Sequence, residues 1–263
     1  STGTTISFDD QTVLRAAVKY GKAIDLATSL ARHVDAVMSR DKRPYEIELS
    51  VDETPEPTTA AEHYIVAEQF QAAGIKLVSL APRFVGDFEK GVDFKGDINA
   101  LQKSLDDHAA IAEILGPYKL SLHSGSDKLS IYPLLARATQ GRFHVKTAGT
   151  SYLEAVRAVA QHDLKFFRQI IDFSRRRYET DRATYHVSAE LATVPPQEKI
   201  PDGRKLQQVY LDEWNIVPPG RGMTAPGRQI LHTTFGSVLT DSALAPQFFS
   251  ILREHPQTYA AIL

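Results

Sequence analysis

Between residues 10 and 39 apolar side chains recur at helical spacing, Val13, Leu14, Ala17, Val18, Ala23, Ile24, Leu26 and Leu30 among them, which predicts one long helix or two. Beyond that point the pattern alternates. Short β-branched or aromatic runs at 45–51 (YEIELSV), 75–81 (IKLVSLA), 118–122 (YKLSL), 142–146 (RFHVK) and 183–189 (ATYHVSA) predict strands, and helical periodicity at 59–73, 98–115, 151–160 and 164–179 separates them. Strands spaced by helices pair in parallel through βαβ units. A last apolar run, 228–239 (RQILHTTFGSVL), reads either as a further strand or as the start of a buried helix, and another helix is expected near 244–262. Pro and Gly crowd residues 193–229, which predicts an extended loop or an insertion.

Charged residues collect where the expected strands stop. The first closes on Asp52 and Glu53, the second on Arg83 after Pro82, the third on the run from His123 to Lys128, the fourth on Lys146, and the fifth on His186 and Glu190. In parallel α/β folds the carboxyl ends of the strands converge on one face, where the site is assembled. A doubly wound sheet would usually add a G-x-G-x-x-G fingerprint, and none follows any of these strands. The expectation is therefore a single α/β domain over residues 1–263, a TIM-like (β/α)8 barrel. Only five or six strands are legible against the eight that closure requires, so the barrel is incomplete or elaborated at its amino end.

Composition narrows the partners. The 263 residues are 43% hydrophobic and 24% charged, ordinary for a globular protein, and the net charge of −2 provides no basic field for nucleic acid or an anionic membrane. The Arg175-Arg176-Arg177 run reads as the solvated end of a helix. With no cysteine there is no disulfide, thiolate metal site or thiol nucleophile, and the reducing cytoplasm is the default location. No apolar run approaches the roughly 18 residues of a bilayer span. The first residues lack the pattern of a signal peptide, and the chain opens on Ser1 without an initiating methionine, as a start partway into a longer product would give.

Several residues could carry chemistry. Asp52 and Glu53 point to opposite faces while their strand lasts, and Pro55 and Pro57 then end it and let both carboxylates turn toward a site. The plainer role of this stretch is helix preparation, since Thr58 or Thr59 followed by Glu62 resembles a capping box. His186 and His232 each sit in an apolar run, where a lone histidine is usually a hydrogen-bonded core residue. Two imidazoles and a carboxylate also make a three-ligand site for zinc, manganese, iron or nickel with a position left open. Lys146 is a candidate for carbonyl chemistry, because burial lowers a lysine pKa and readies it for a Schiff base. Its alternatives are a substrate carboxylate or a reach to solvent. Around Gly125, Ser124 and Ser126 offer small side chains and backbone N–H groups to an anion, although G-S-D is equally good turn chemistry. Glu154 either caps its helix through a box with Ser151 or serves as a second acid.

Longer phrases carry more information than any single residue: SVDETPEPTTAAEH, SLAPRFVGDFEKGVDFKGD, GPYKLSLHSGSDKLSIYP, KTAGTSYLEA, YETDRATYHVSAEL and ILHTTFGSVL. Together, from roughly residue 43 to 240, they resemble the tagaturonate/fructuronate epimerase family of bacterial hexuronate catabolism. The resemblance implies a barrel, a divalent metal cation and C4 epimerisation of a small-molecule ketohexuronate. Carried over by position, it makes Asp52 an acid/base and Glu53 a metal ligand, completes the metal set with His186 and His232, and makes Glu154 the second acid/base. Arg83, His123, Ser124, Asp127, Lys128 and Lys146 are then the expected substrate contacts, with Arg83, Lys128 or Lys146 holding the carboxylate. Members of the family are longer at the amino end, which places the missing strands ahead of residue 1, and the stretch near 215–227 reads as an extra insertion. Two other readings stand beside this one: a Schiff-base sugar-acid aldolase using Lys146, and a non-catalytic sugar-acid binding protein.

Overall fold

Four short strands, β1 (Glu48–Ser50), β2 (Ser79–Ala81), β3 (Lys119–Leu122) and β4 (Phe143–Val145), lie side by side in chain order as one parallel sheet. The structure is a computed structural model that describes residues 2–263, apart from the Thr184 side chain. Register pairs Leu80 with Leu120 and Leu120 with Phe143, so these side chains share one face of the sheet. The alternate positions Glu48, Ser79, Ser121 and His144 share the other, which is polar.

The chain divides into two compact units. The first comprises the chain up to Gly86, Gly96–His123 and Ile131–Val145, and so contains the sheet. Its helices are α1 (Asp10–Arg40), α2 (Ala60–Ala72), α3 (Ile98–Ile114) and α4 (Tyr132–Ala138). The long apolar repeat near the amino end is thus one helix, started by Asp9, whose carboxylate accepts the Thr12 N–H at 2.8 Å. Thr59 and Glu62 form the expected capping box on α2, which fixes where the β1 exit loop turns into helix.

The second unit comprises Asp87–Lys95, Ser124–Ser130 and Lys146–Leu263. It is built from α5 (Ala148–His162), α6 (Leu164–Asp181), α7 (Gly203–Leu211), α8 (Pro226–Thr233), α9 (Phe235–Thr240), α10 (Leu244–Glu254) and α11 (Pro256–Ile262). Phe166, Phe167, Ile170 and Ile171 of α6 are buried with Leu206 and Tyr210 of α7 and Ile230 and Leu231 of α8. At about 1.5–3 kcal/mol for each large apolar side chain, this core dominates the unit's stability.

The fifth expected strand is absent. A 3-10 turn occupies Arg182–Thr184, and residues 185–190 follow as irregular chain. Burial does alternate there, with Val187 and Ala189 inside and His186, Ser188 and Glu190 outside. Side chains replace the ladder, however: the Ala189 N–H donates to Gln229 Oε1 at 2.8 Å, and the Ala189 carbonyl accepts from the Tyr178 hydroxyl at 2.8 Å and from Arg182 at 3.1 Å. The 228–239 run resolves as helix, with Pro226 at the first position of α8. The Pro- and Gly-rich 193–229 stretch contains α7, capped by Asp202, whose side chain accepts the Lys205 N–H at 2.7 Å.

Candidate active site

In the first unit the polar face of the sheet becomes an acid/base group at the carboxyl ends of β1 and β3. Glu48, Ser50 and Asp52 follow one another at two-residue spacing, so all three project to one side. His123, just past β3, stands among them: its Nε2 lies 2.6 Å from Glu48 Oε1 and its Nδ1 lies 3.5 Å from Asp52 Oδ1. The other Glu48 oxygen lies 3.0 Å from His144 Nδ1, and the Ser50 hydroxyl donates to Asp52.

The neighbouring Asp52, followed by Glu48, raises the His123 imidazole against an opposing pull from burial. Burial works to raise Glu48 too, but hydrogen bonds from Ser79, His123 and His144 prevail and hold its carboxyl at about 2. In Asp52 burial again acts upward and is outweighed by His123 and Ser50, so the net shift is down. The group is thus an imidazole whose protonated form is favoured by a carboxylate at either side. It can donate a proton from His123 and accept one at Asp52.

Glu53, next in the chain, is exposed. Arg83 holds the loop that carries both acidic residues. Its guanidinium donates to the Thr54 carbonyl, its backbone N–H donates to Thr58 Oγ1 at 3.0 Å, and its carbonyl accepts the Thr58 N–H at 2.8 Å. Arg83 thus acts here as a strap on the loop. Behind Thr58 runs a buried polar chain in which Tyr118 meets His63 Nε2 at 2.9 Å and the Nδ1 atoms of His63 and His108 approach to 2.8 Å.

In the second unit the residues that follow β3 are largely structural. The Lys128 ammonium is buried and donates to the carbonyls of Glu89, Val92 and Ser126 at 2.5–2.9 Å, joining the 87–95 loop to the turn. Burial lowers it to about 8 despite the nearby charges of Asp127 and Asp93. Asp127 has φ 64° and accepts from Arg228 Nη2 at 2.9 Å. Glu154 lies inside α5, which starts ahead of Ser151, so the expected Ser151 box does not form. Its carboxylate takes the Arg157 Nε at 2.6 Å and lies 3.7 Å from Arg228 Nη1. Ser124 Oγ lies 3.3 Å from the Lys90 ammonium, while Ser126 Oγ accepts the Gly149 N–H at 3.2 Å. Lys146 is exposed, so the burial that would ready it for a Schiff base is not found.

His232, on α8, is 5% exposed and packs against two glycines. A methyl group on Gly149 would stand 1.8 Å from its Cε1, and one on Gly91 3.1 Å from its Cβ. Burial, and after it the charge of Lys90, holds the imidazole down at about 3, and its Nδ1 has no hydrogen-bond partner among the described residues. A neutral imidazole with an unsatisfied nitrogen suits a metal ligand. His186 does not share this state: it is 67% exposed at the side chain and faces Asp87 at 3.3 Å. Among the described residues no group of three or more His, Asp or Glu is arranged to hold a metal ion. Nor is any helix there long and apolar enough to cross a membrane.

Sequence reasoning passed over Glu48 and His144, although Glu48 is in phase with Asp52. It also missed Arg157 and Arg228, which fix Glu154 and Asp127.

The family model described as tagaturonate epimerase, UxaE, matches residues 1–263. The tagaturonate/fructuronate epimerase of Thermotoga maritima is 40% identical over 260 residues, which are 98% of this chain and 50% of that protein. The native crystal structure of fructuronate-tagaturonate epimerase UxaE from Cohnella laeviribosi superposes with a TM-score of 0.87 at 36% identity, covering 100% of this chain and 51% of that one. The structure of the same protein with one glycerol gives 0.87 at 35% identity, over 99% and 51%. The chain spans about half the length of the relatives it matches.

Proposed function

Because the chain belongs to the tagaturonate epimerase family, we propose that it serves the C4 epimerisation of a ketohexuronate, interconverting D-tagaturonate and D-fructuronate. The observation that carries this reading is the Glu48–His123–Asp52 group at the strand ends.

The reaction constrains the chemistry. In a 2-ketohexuronate the hydrogen on C4 is not next to the ketone, so its removal gives no resonance-stabilised enolate. The C4 hydroxyl is β to that ketone, which is an aldol arrangement. A base takes the hydroxyl proton, the C3–C4 bond breaks, and its electron pair passes into the C2 enolate. The resulting aldehyde turns its other face, the bond re-forms, and the proton returns to the new C4 oxygen. Asp52, held ionised, is the base of this scheme, and the His123 imidazolium is a donor for an oxygen that gains charge. A divalent cation, when bound, supplies polarisation of the C2 carbonyl. Within the second unit, the buried His232 imidazole, its Nδ1 unpartnered among the described residues, has the chemistry of such a ligand. Closure of the sheet into a (β/α)8 barrel belongs to the same proposal, since the inward face of a barrel is where a polar row ending in acid/base groups would meet substrate.

The test is isotopic. Full-length protein is run with carbon-13 substrate beside unlabelled three-carbon aldehyde acid, in deuterated water. Exchange of labelled for unlabelled fragments in the epimer supports the aldol route, and deuterium at C4 rules it out. Asp52→Asn should lower kcat by about 10²–10⁴-fold, and activity lost to a chelator should return with zinc, manganese, iron or nickel.

A further inference from the structure

One carboxylate of the first unit is shared by two imidazoles. Glu48 Oε1 lies 2.6 Å from His123 Nε2, and Glu48 Oε2 lies 3.0 Å from His144 Nδ1. An ionised carboxylate only accepts, so each of these nitrogens must bring its own proton. Glu48 is held at about 2 and has no hydrogen to give in return. A bare nitrogen lone pair in either place would face a carboxylate oxygen at hydrogen-bond distance, and the two would repel. Ser121 Oγ, 3.1 Å from His144 Nδ1, belongs to a hydroxyl that rotates to suit and accepts from the same N–H.

The second nitrogen of His123 has a looser neighbour. Nδ1 lies 3.5 Å from Asp52 Oδ1, longer than the about 2.7–3.2 Å of an ordinary N–H···O bond. With Nε2 committed to Glu48, Nδ1 is where the neutral ring keeps its lone pair and where the imidazolium carries its second proton. Asp52 favours a proton there without gripping it. The two side chains are 15% and 18% exposed, so the space at Nδ1 is open to a ligand. Local sequence does not set this arrangement: Glu48 is 75 positions from His123 and 96 from His144, and the parallel sheet brings them together.

We propose that Glu48 is a positioning residue: it holds neutral His123 as the Nε2–H tautomer, so that Nδ1 gives and takes the proton of the reaction, while His144, as the Nδ1–H tautomer, steadies the other Glu48 oxygen. The use of that proton rests on the epimerase reading; the tautomers themselves rest on geometry. In the aldol scheme the oxygen on C2 receives the Nδ1 proton as the C3–C4 bond breaks and returns it to Nδ1 as the bond re-forms, so no net proton is gained or lost. The ring keeps one orientation throughout, because its Nε2–H bond to Glu48 is made in both protonation states.

The experiment is nitrogen-15 NMR of the ring nitrogens in full-length protein labelled at histidine, at a pH above the His123 midpoint, with signals assigned by their loss in His123→Asn and His144→Asn. His123 should show a protonated Nε2 and a bare Nδ1, and His144 the reverse. Glu48→Gln, whose amide donates as well as accepts, should release His123 toward the Nδ1–H tautomer that Asp52 favours. In that variant kcat should fall by about 10²–10⁴-fold with KM little changed, the mark of a histidine in the wrong tautomer. A parent His123 protonated at Nδ1, or a Glu48→Gln protein that keeps the parent's tautomer, overturns the inference, and a variant with the switched tautomer and the parent's kcat overturns the role of Nδ1. Turnover of D-tagaturonate by the parent reports separately on the epimerase reading, because a protein with these tautomers that does not epimerise retains the assignment and loses the reaction.

Discussion

His123 Nε2 lies 2.6 Å from Glu48 Oε1 while Nδ1 of the same ring faces Asp52, so the imidazole is bracketed by carboxylates. Its pKa is raised by Asp52 first and Glu48 after it. A raised histidine stabilises the fold fully below its unfolded value of about 6.5 and loses that contribution as pH rises through the higher folded value. Glu48, held down at about 2, contributes above its unfolded value and loses that as pH falls toward about 2. The pair is therefore complete between about pH 4.5 and 6.5. In an NMR titration the His123 midpoint should lie above that of an unfolded histidine, and both Glu48→Gln and Asp52→Asn should move it down. A midpoint indifferent to both changes would remove the basis for an imidazolium here.

Gly149 and His232 interlock. A methyl group on Gly149 would meet the ring at 1.8 Å from Cε1 and 2.4 Å from Nε2, and the ring is confined from its Cβ side by Gly91. Gly149→Ala should therefore cost about 1–3 kcal/mol, the range for overpacking a filled interior. His232→Ala should remove the clash, so the double variant should be more stable than additivity predicts. Chemical denaturation of the four proteins measures the coupling. Additive effects would mean that the chain moves aside there.

Much of the first unit was legible in the sequence. The Thr59 and Glu62 capping box and the four strand runs are local signals, and each survives because nothing in the tertiary structure opposes it. The 183–189 run misleads because its β-branched and aromatic residues read as a strand, whereas the bonds of Ala189 go to Tyr178, Arg182 and Gln229, 11, 7 and 40 positions away, which no strand pattern discloses. The same distinction governs the site. Asp52 and His123 stand at strand ends, where charge is conspicuous. Glu48 and His144 lie within strands and become meaningful only once the sheet is known to have a polar face. Arg228 sits at the head of an apolar run, and its partner Asp127 is 101 positions away.

Acid should weaken the first unit through His63 and His108. Their Nδ1 atoms approach to 2.8 Å, so one ring donates and the other accepts, and at least one is neutral. Burial puts His108 at about 4 and, with the charge of His108 behind it, pushes His63 well below the usual imidazole range. Below about pH 6.5 the unfolded rings bind protons that the folded ones refuse, so stability falls as pH drops toward about 4. His108→Gln should cost about 1–3 kcal/mol at neutral pH, because His63 loses its partner in the interior. It also removes one refused proton. Denaturation curves of variant and parent should therefore converge as pH falls, and a constant difference would show that His108 does not titrate in this manner.

Arg83 separates two roles that a single kinetic constant would confuse. If its guanidinium braces the loop through Thr54, Arg83→Met should free the segment that carries Asp52 and Glu53. The main-chain bonds to Thr58 do not depend on the side chain and should persist. The expected stability loss is about 0.5–1.5 kcal/mol, that of one hydrogen bond. Amide exchange should quicken at residues 52–54 and not at Thr58. In the full-length protein kcat should fall with KM little changed, because a misplaced Asp52 impairs the proton transfer and leaves binding intact. An Arg83 that instead held the substrate carboxylate would give the opposite result: a raised KM, with stability and loop exchange as in the parent.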